Sequence, residues 1–348
     1  MILNKFSSCI FVFVLIGAGE QLKSQQSAEV PQPAGTQQPT FRTQANIVLA
    51  PALVKDKAGK VIFGLQAKDF IIEDDGVEQP VRMDEAEEPE PVSLVVAVQT
   101  GRTAAAELKR MRGLSSMLDP IVSQPQVQTA IVTFDSEVNL LQDFTFDSEL
   151  TTSNLKNLQD GDLRGAVILD AVHYSVKILG KQPKDSRRVL LLISETRDHG
   201  SHAVNIDDVV AAIGDSNAVA YTLAFSPTIS NVLDDMRGKL EPQGTSLDLG
   251  NAAVKLLVLS VQAMRKNAPK TISAITGGEY ELFKSRKGFE SLMTEFTNHL
   301  HSRYLLSFEP KSPHPGLHRV SVRLRQSGGS TVLARSSYWA TAPENGLQ

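Results

Sequence analysis

An apolar run of valine and leucine that ends at a polar turn dominates the hydrophobic pattern of the chain. The run VSLVVAVQTGRT covers residues 92–103, and a helical pattern follows over residues 104–118. A continuous run of this kind is typical of a strand that is covered on both faces, as in a parallel sheet. Ligands of open α/β folds bind at the carboxyl ends of such strands. We therefore expect the turn after this strand to determine what the protein binds.

Strand and helix patterns alternate over residues 91–303. The predicted strands are residues 127–134, 137–146, 188–194, 218–225 and 279–283, and the predicted helices are residues 165–179, 204–213, 249–264 and 288–302. Residues 137–146 lie close enough to the preceding strand to form a hairpin at the edge of the sheet. This rhythm predicts an α/β fold with a doubly wound, mostly parallel sheet.

Strand periodicity also flanks this α/β block, over residues 41–90 and 304–341. The acidic triplet at residues 73–75 precedes Gly76, and this Asp-Gly step favours a hairpin turn over a calcium-binding loop. Each flank alone is too small to form a stable sheet with a filled core. We expect the two flanks to pair into one small β-sandwich, into which the α/β domain at residues 91–303 is inserted.

The N-terminal segment has the features of a secretory signal. Positive charge precedes an apolar stretch, and small residues at positions 17–19 offer a cleavage site. The apolar stretch is too short to span a membrane. We assign residues 1–24 to a signal peptide and residues 25–40, which are rich in Gln, Pro, Ala and Ser, to a disordered linker. The protein is therefore expected to be secreted or periplasmic, and cleavage would remove its single cysteine, Cys9.

Composition and motif content narrow the class of function. The 348 residues carry a net charge of −4, and no basic stripe with interleaved aromatic residues is present, so nucleic acid is not an expected partner. The sequence has no GxSxG nucleophile elbow, no P-loop and no dinucleotide glycine fingerprint. We predict His199, His202, His314 and His318 to be loop residues rather than pairs of metal ligands. On these grounds we expect no enzymatic activity.

Six phrases, in order along the chain, resemble those of a known family. They are GLQAKDFIIEDDGVEQPV, PVSLVVAVQTG, GAVILDAV, RVLLLISETRDHGS, ITGGEYELF and SRYLLSFEP. Together they resemble the von Willebrand factor type A family, in particular a bacterial secreted subgroup described as VWFA-related. The resemblance covers residues 41–340 and implies a type A domain set between β segments.

The resemblance also implies a cation site. Domains of this family bind a divalent cation, often magnesium, through an Asp-x-Ser-x-Ser motif on the first loop, a threonine on the second and an aspartate on the third. The residues that stand at these positions here are Gln99, Gly101, Thr103, Ala166 and Glu195. Only Thr103 and Glu195 keep an oxygen of the type that a hard cation prefers. Arg102 adds a positive charge beside the place where a cation would bind. We expect a degenerate metal site and no cofactor; a variant site for Mg²⁺ or Ca²⁺ is the alternative.

A secreted, non-catalytic binding or adhesion-like module with an unidentified protein ligand is the function that the resemblance implies. Recognition would use the loops at residues 99–103, 165–166 and 195–202, with Arg102, Asp198 and His199 as possible contacts. Three alternatives stay open at this point. They are a metal-dependent adhesion-type domain, a purely structural part of an assembly, and a hydrolase built on Glu195, Asp198 and His199.

Overall fold

The computed structural model describes residues 47–84, 90–101, 104, 107–108, 111–161, 165–225, 263–311 and 314–340. The predicted signal peptide, the predicted linker and almost all of the predicted helix at residues 249–264 lie outside these ranges, as do Arg102 and Thr103. Within the described ranges, no helix combines the length and the apolar character needed to cross a membrane.

Fifteen strands are present in the described part of the chain. They are β1 (Val48–Leu49), β2 (Leu53–Lys55), β3 (Phe70–Asp74), β4 (Val77–Gln79), β5 (Arg82–Asp84), β6 (Val92–Gln99), β7 (Val127–Phe134), β8 (Val138–Thr145), β9 (Arg187–Glu195), β10 (Val219–Phe225), β11 (Tyr280–Leu282), β12 (Leu305–Phe308), β13 (Gly316–Leu324), β14 (Thr331–Leu333) and β15 (Ser337–Ala340). The α-helices of the same part are α1 (Leu114–Val122), α2 (Ser148–Lys156), α3 (Ile168–Gly180), α4 (Ile206–Ser216), α5 (Ala268–Thr276) and α6 (Arg286–Leu300).

Six strands form the central sheet in the order β11-β10-β9-β6-β7-β8. All neighbours are parallel except β8, which pairs antiparallel with β7 at the edge. This confirms the doubly wound, mostly parallel sheet and its hairpin edge. All eight residues of β6 are buried, as the unbroken apolar run predicts for a central strand.

Helices cover both faces of this sheet, because side chains of a strand alternate between its faces. Val95 and Ala97 of β6 pack in one core with α3, α4 and α5. Val96 and Val98 point the other way and pack in a second core with α1 and α6. The domain therefore has three layers, and the carboxyl ends of β6 and β9 lie side by side between the two helical layers.

The predicted helix at residues 104–118 is interrupted. Residues 107–108 are helical, but residues 111–113 form a turn, and helix α1 begins at Leu114, because Gly113 adopts a left-handed φ of 96° that breaks a regular helix. Sequence reasoning also missed α2, whose low apolar content gives little periodic signal. The side chain of Asp147 caps α2 by accepting a hydrogen bond from the backbone N–H of Leu150 at 2.9 Å.

The β segments on either side of the α/β domain pair with each other. β3 and β13 are antiparallel, with Ile72 opposite Val322, and β4 and β15 complete that sheet. β12 lies between β1 and β5 in a second sheet, and β14 pairs with β2. One apolar core containing Phe70 and Phe308 joins these strands, so neither flank has to form a core by itself.

Buried polar groups attach the β segments to the α/β domain. Arg335 donates hydrogen bonds to the carbonyl oxygens of Gly214 (3.1 Å) and Leu49 (3.2 Å). These hydrogen bonds connect the two β segments to helix α4 of the α/β domain. Within the α/β domain, Gly278 allows the close approach of β10, because a Cβ atom at this position would overlap the carbonyl oxygen of Ala220.

Candidate binding site at the carboxyl end of the sheet

Gln99 and Glu195 face each other where β6 and β9 end. Gln99 Nε2 donates to Glu195 Oε1 at 3.1 Å, and the backbone N–H of Glu195 donates to Gln99 Oε1 at 2.9 Å. Both residues are buried, with 0% and 3% of their surface exposed. The side-chain amide of Gln99 therefore forms hydrogen bonds with both the backbone and the carboxylate of Glu195, and both bonds are shielded from solvent.

The carboxylate of Glu195 lies in a low-dielectric environment. Burial raises its pKa, and nearby Asp198 adds to this, while the hydrogen bond from Gln99 and the proximity of His199 oppose it. His199 Nε2 is 4.0 Å from Glu195 Oε2, which is beyond hydrogen-bond distance. A raised pKa means that ionised Glu195 is less favourable here than in water.

The two other described positions of the predicted cation site, Ala166 in the second loop and Gly101 in the first loop, have no side-chain oxygen. Ala166 and His199 form an antiparallel bridge, with N···O distances of 3.0 and 2.9 Å between their backbones. Ala166 is fully buried, and its methyl group offers no ligand atom. Gly101 is also buried, and its carbonyl oxygen accepts the N–H of Ala104 at 2.7 Å.

Two further carboxylates at this end hold the third loop against α3. Asp198 Oδ1 accepts the N–H of Leu169 at 3.0 Å in the first turn of α3. Asp170, which is buried, accepts the backbone N–H groups of residues 202, 203 and 204 at 3.0 to 3.2 Å. Together these bonds tie the third loop to the first turn of α3.

The structure thus brings together Gln99, Glu195, Asp198 and His199, while Arg102 and Thr103 lie outside the described residues. Asp170 was not among the predicted site residues. Its signal in the sequence is the aspartate within the phrase GAVILDAV. Among the described residues, the exposed part of the site is the third loop, which includes Arg197, His199 and His202; we call residues 197–202 the crest loop.

A second cluster of titratable side chains lies in the β-sandwich. His318, which is 1% exposed, has Nδ1 at 3.1 Å from Asp74 Oδ1 and at 2.9 Å from Asp75 Oδ2. His314 stacks on His318 with ring centroids 3.9 Å apart, and the hydroxyl of Tyr338 donates to Asp74 Oδ2 at 3.0 Å. Burial lowers the pKa of His318, but the hydrogen bonds to Asp74 and Asp75 outweigh burial and raise it to about 10.

Comparisons with known proteins gave similarity of structure only. No protein family and no curated protein matched the sequence. Among solved structures, BatB from Bacteroides thetaiotaomicron is 12% identical, with 60% of this chain and 99% of that chain covered at a TM-score of 0.39. The vWF domain of the type V pili tip protein Mfa5 from Porphyromonas gingivalis is 9% identical, with 61% of this chain and 96% of that chain covered at a TM-score of 0.38. The mussel byssus protein PTMP1, with a zinc-occupied MIDAS motif, is 10% identical, with 64% of this chain and 48% of that chain covered at a TM-score of 0.40.

The topology of the molecule itself decides the fold. A parallel sheet with β6 at its centre, a single antiparallel edge strand and helices on both faces is the arrangement that the sequence resemblance implied. The chain therefore contains a von Willebrand factor type A-like domain, set between β segments that pair with each other.

Proposed function

We propose that the protein is an exported, non-catalytic binding module that recognises a protein partner through the crest loop without a bridging cation. The observation that carries this proposal is the reciprocal pair of hydrogen bonds between Gln99 and Glu195. An amide stands where a cation would need a carboxylate, and it occupies an oxygen of the neighbouring carboxylate.

The other described oxygens at this end do not fit a hard cation either. A site for Mg²⁺ or Ca²⁺ requires several oxygen ligands around one point. The carboxylates of Asp170 and Asp198 accept backbone N–H groups of residues 202–204 and of Leu169 in α3. Ala166 supplies no side-chain oxygen. Binding of a cation would have to break hydrogen bonds that shape the loop.

The crest loop is suited to recognition because it is exposed and already ordered. His199 and His202 are exposed, while Asp170 and Asp198 fix the backbone beneath them. A loop held in its bound conformation loses less conformational entropy on association. It also lies at the end of the sheet where ligands of open α/β folds bind.

The non-catalytic part of the proposal rests on the partners of the candidate residues. His199 is the candidate base, and its Nε2 lies 4.0 Å from Glu195 Oε2, so no hydrogen bond from Glu195 orients this imidazole. Glu195 is held by Gln99 rather than by a reacting group. A broad hydrolase screen of the purified chain should give no turnover that is lost on His199→Ala.

The test is capture of a partner by the immobilised chain from proteins of the extracellular fraction. A double variant, His199→Ala with His202→Ala, changes the crest loop, and Lys181→Ala with Lys184→Ala is the matched control at the opposite end of the sheet. We expect the crest variant to weaken binding by about tenfold or more, which corresponds to about 1.4 kcal/mol, and the control to bind normally. Binding should persist in chelator. Loss of binding in chelator that Mg²⁺ restores, or equal binding by both variants, would contradict the proposal.

A further inference from the structure

We propose that Asp75, His314 and His318 form a structural zinc site that joins the two β segments of the sandwich. One ligand atom from each residue lies within 4.8 Å of the other two. The site is separate from the crest loop, and the inference does not depend on the proposed function. Two imidazole nitrogens and a carboxylate oxygen are a ligand set that Zn²⁺ accepts.

The distances between the ligand atoms are close to those around a tetrahedral ion. His314, whose ring stacks on that of His318 at 3.9 Å, is exposed and would turn out of this stack to direct its Nε2 lone pair at the ion. Asp75 Oδ2 lies 2.9 Å from His318 Nδ1 and 3.3 Å from His314 Nε2. Ligands bound to zinc at about 2.0–2.1 Å are separated from each other by about 3.3 Å in a tetrahedron. Asp74 Oδ1, at 3.1 Å from His318 Nδ1, is placed to serve as a fourth ligand.

The groups around the ligands also match a metal site. His318 Nε2 lies 2.7 Å from the carbonyl oxygen of His314, so a proton on Nε2 would leave Nδ1 with its lone pair for the ion. The second oxygen of Asp75 accepts the backbone N–H of Arg319 at 2.9 Å, and that of Asp74 accepts from Tyr338. Bonds of this kind orient the ligands of metal sites.

The charges balance and an entry path exists. Asp74 and Asp75 place two carboxylates against one buried ring nitrogen, so this point holds either a proton on His318 or a cation in its place. His318 is buried, whereas His314 is exposed and leaves one side open to solvent. An ion can therefore enter beside His314 without unfolding of the sandwich.

The role of the ion follows from the positions of its ligands in the chain. Asp75 lies in the turn between β3 and β4, near the N-terminal side, and His318 lies in β13, more than two hundred residues later. Such an ion would connect the first β segment to the last across the whole inserted α/β domain. Zinc binding should therefore raise the thermal stability of the sandwich by mass action.

Zinc titration of the metal-stripped full chain tests the proposal, by calorimetry and by thermal unfolding. We expect one zinc ion per chain and a rise in the unfolding temperature of the wild type. His314→Ala should weaken binding by about tenfold or more and abolish that rise, because an exposed ligand is removed with little effect on folding. His301→Ala, which removes an exposed histidine elsewhere, should bind as the wild type does.

Asp75→Asn is a second variant, chosen because it should remove a zinc ligand and leave the fold intact. Asp75 has a φ of 48°, a conformation that asparagine also adopts readily, and its amide oxygen can still accept the N–H of Arg319. Zinc affinity should again fall by about tenfold or more. The proposal is overturned if the wild type binds no zinc, or if His314→Ala and Asp75→Asn bind it as tightly as His301→Ala.

Discussion

Replacing Gln99 with glutamate tests whether the side chains of Gln99 and Glu195 are in direct contact in a buried environment. The side chains have nearly the same shape, so Gln99→Glu keeps the acceptor for the Glu195 backbone and replaces only the donor. A carboxylate oxygen would then stand about 3.1 Å from Glu195 Oε1, where Gln99 Nε2 now lies. At an effective dielectric constant of about 20, two charges at this distance repel by about 5 kcal/mol.

Protonation limits that cost. One of the two carboxyl groups can take up a proton and donate a hydrogen bond to the other, which raises the pKa of the pair in the folded state. Holding a glutamate of ordinary pKa protonated at pH 7 costs about 4 kcal/mol, since each pH unit contributes about 1.4 kcal/mol. Because the folded-state pKa is raised, the variant keeps its stability at low pH and loses it as the pH rises.

Urea unfolding at several pH values measures the effect. We expect Gln99→Glu to be less stable than the wild type by about 4 kcal/mol at pH 7 and nearly equal to it near pH 4. The exposed change Gln159→Glu is the control and should show no such pH dependence. Equal stability of Gln99→Glu and wild type at pH 7 would refute the reasoning. Magnesium should stabilise the variant, which has two facing carboxylates, more than the wild type.

Three further changes test other parts of the structure. Asp170→Asn replaces an acceptor of three backbone N–H groups, so the variant should lose about 1–3 kcal/mol in urea unfolding and exchange amide hydrogens faster in residues 202–204; unchanged exchange there would contradict the assignment. Arg335→Leu should cost about 2–4 kcal/mol, because buried carbonyl oxygens lose their donor; a loss below about 0.5 kcal/mol would show that Arg335 does not join the β segments. Gly278→Ala should lower the free energy of unfolding by about 3 kcal/mol in the same assay, because the new Cβ would overlap Ala220. The control Gly180→Ala, where a Cβ meets no atom, should be as stable as the wild type. Equal stability of the two variants would rule out the close approach to Ala220.

Much of the fold could be predicted because it depends on local patterns. The valine- and leucine-rich strands β6 and β9 are buried on both faces, so their apolar runs are unbroken and easy to recognise. The small size of the flanking β segments was enough to predict that they pair. Helix α2 escaped prediction because its mean apolar content is low, and the start of α1 depends on the backbone of one glycine, Gly113.

The contacts of the candidate site were less accessible to sequence reasoning. The alignment placed Gln99 and Glu195 at the same end of the sheet, but their reciprocal hydrogen bonds depend on the register between β6 and β9. The zinc-site residues were assigned separately to a turn and to loops. Only the pairing of β3 with β13 brings Asp75 close to His318. No local pattern carries information about a contact over that separation.

Anomalous diffraction from crystals soaked in Mn²⁺ tests the central claim most directly. Manganese prefers oxygen ligands, as magnesium does, and it is visible by its anomalous signal. We predict no manganese peak within about 2.0–2.6 Å of the Glu195 carboxylate, because Gln99 donates a hydrogen bond to that carboxylate and places an amide where the cation would need a second acid. A peak bonded to Glu195, with Gln99 turned away from it, would contradict a cation-free binding surface.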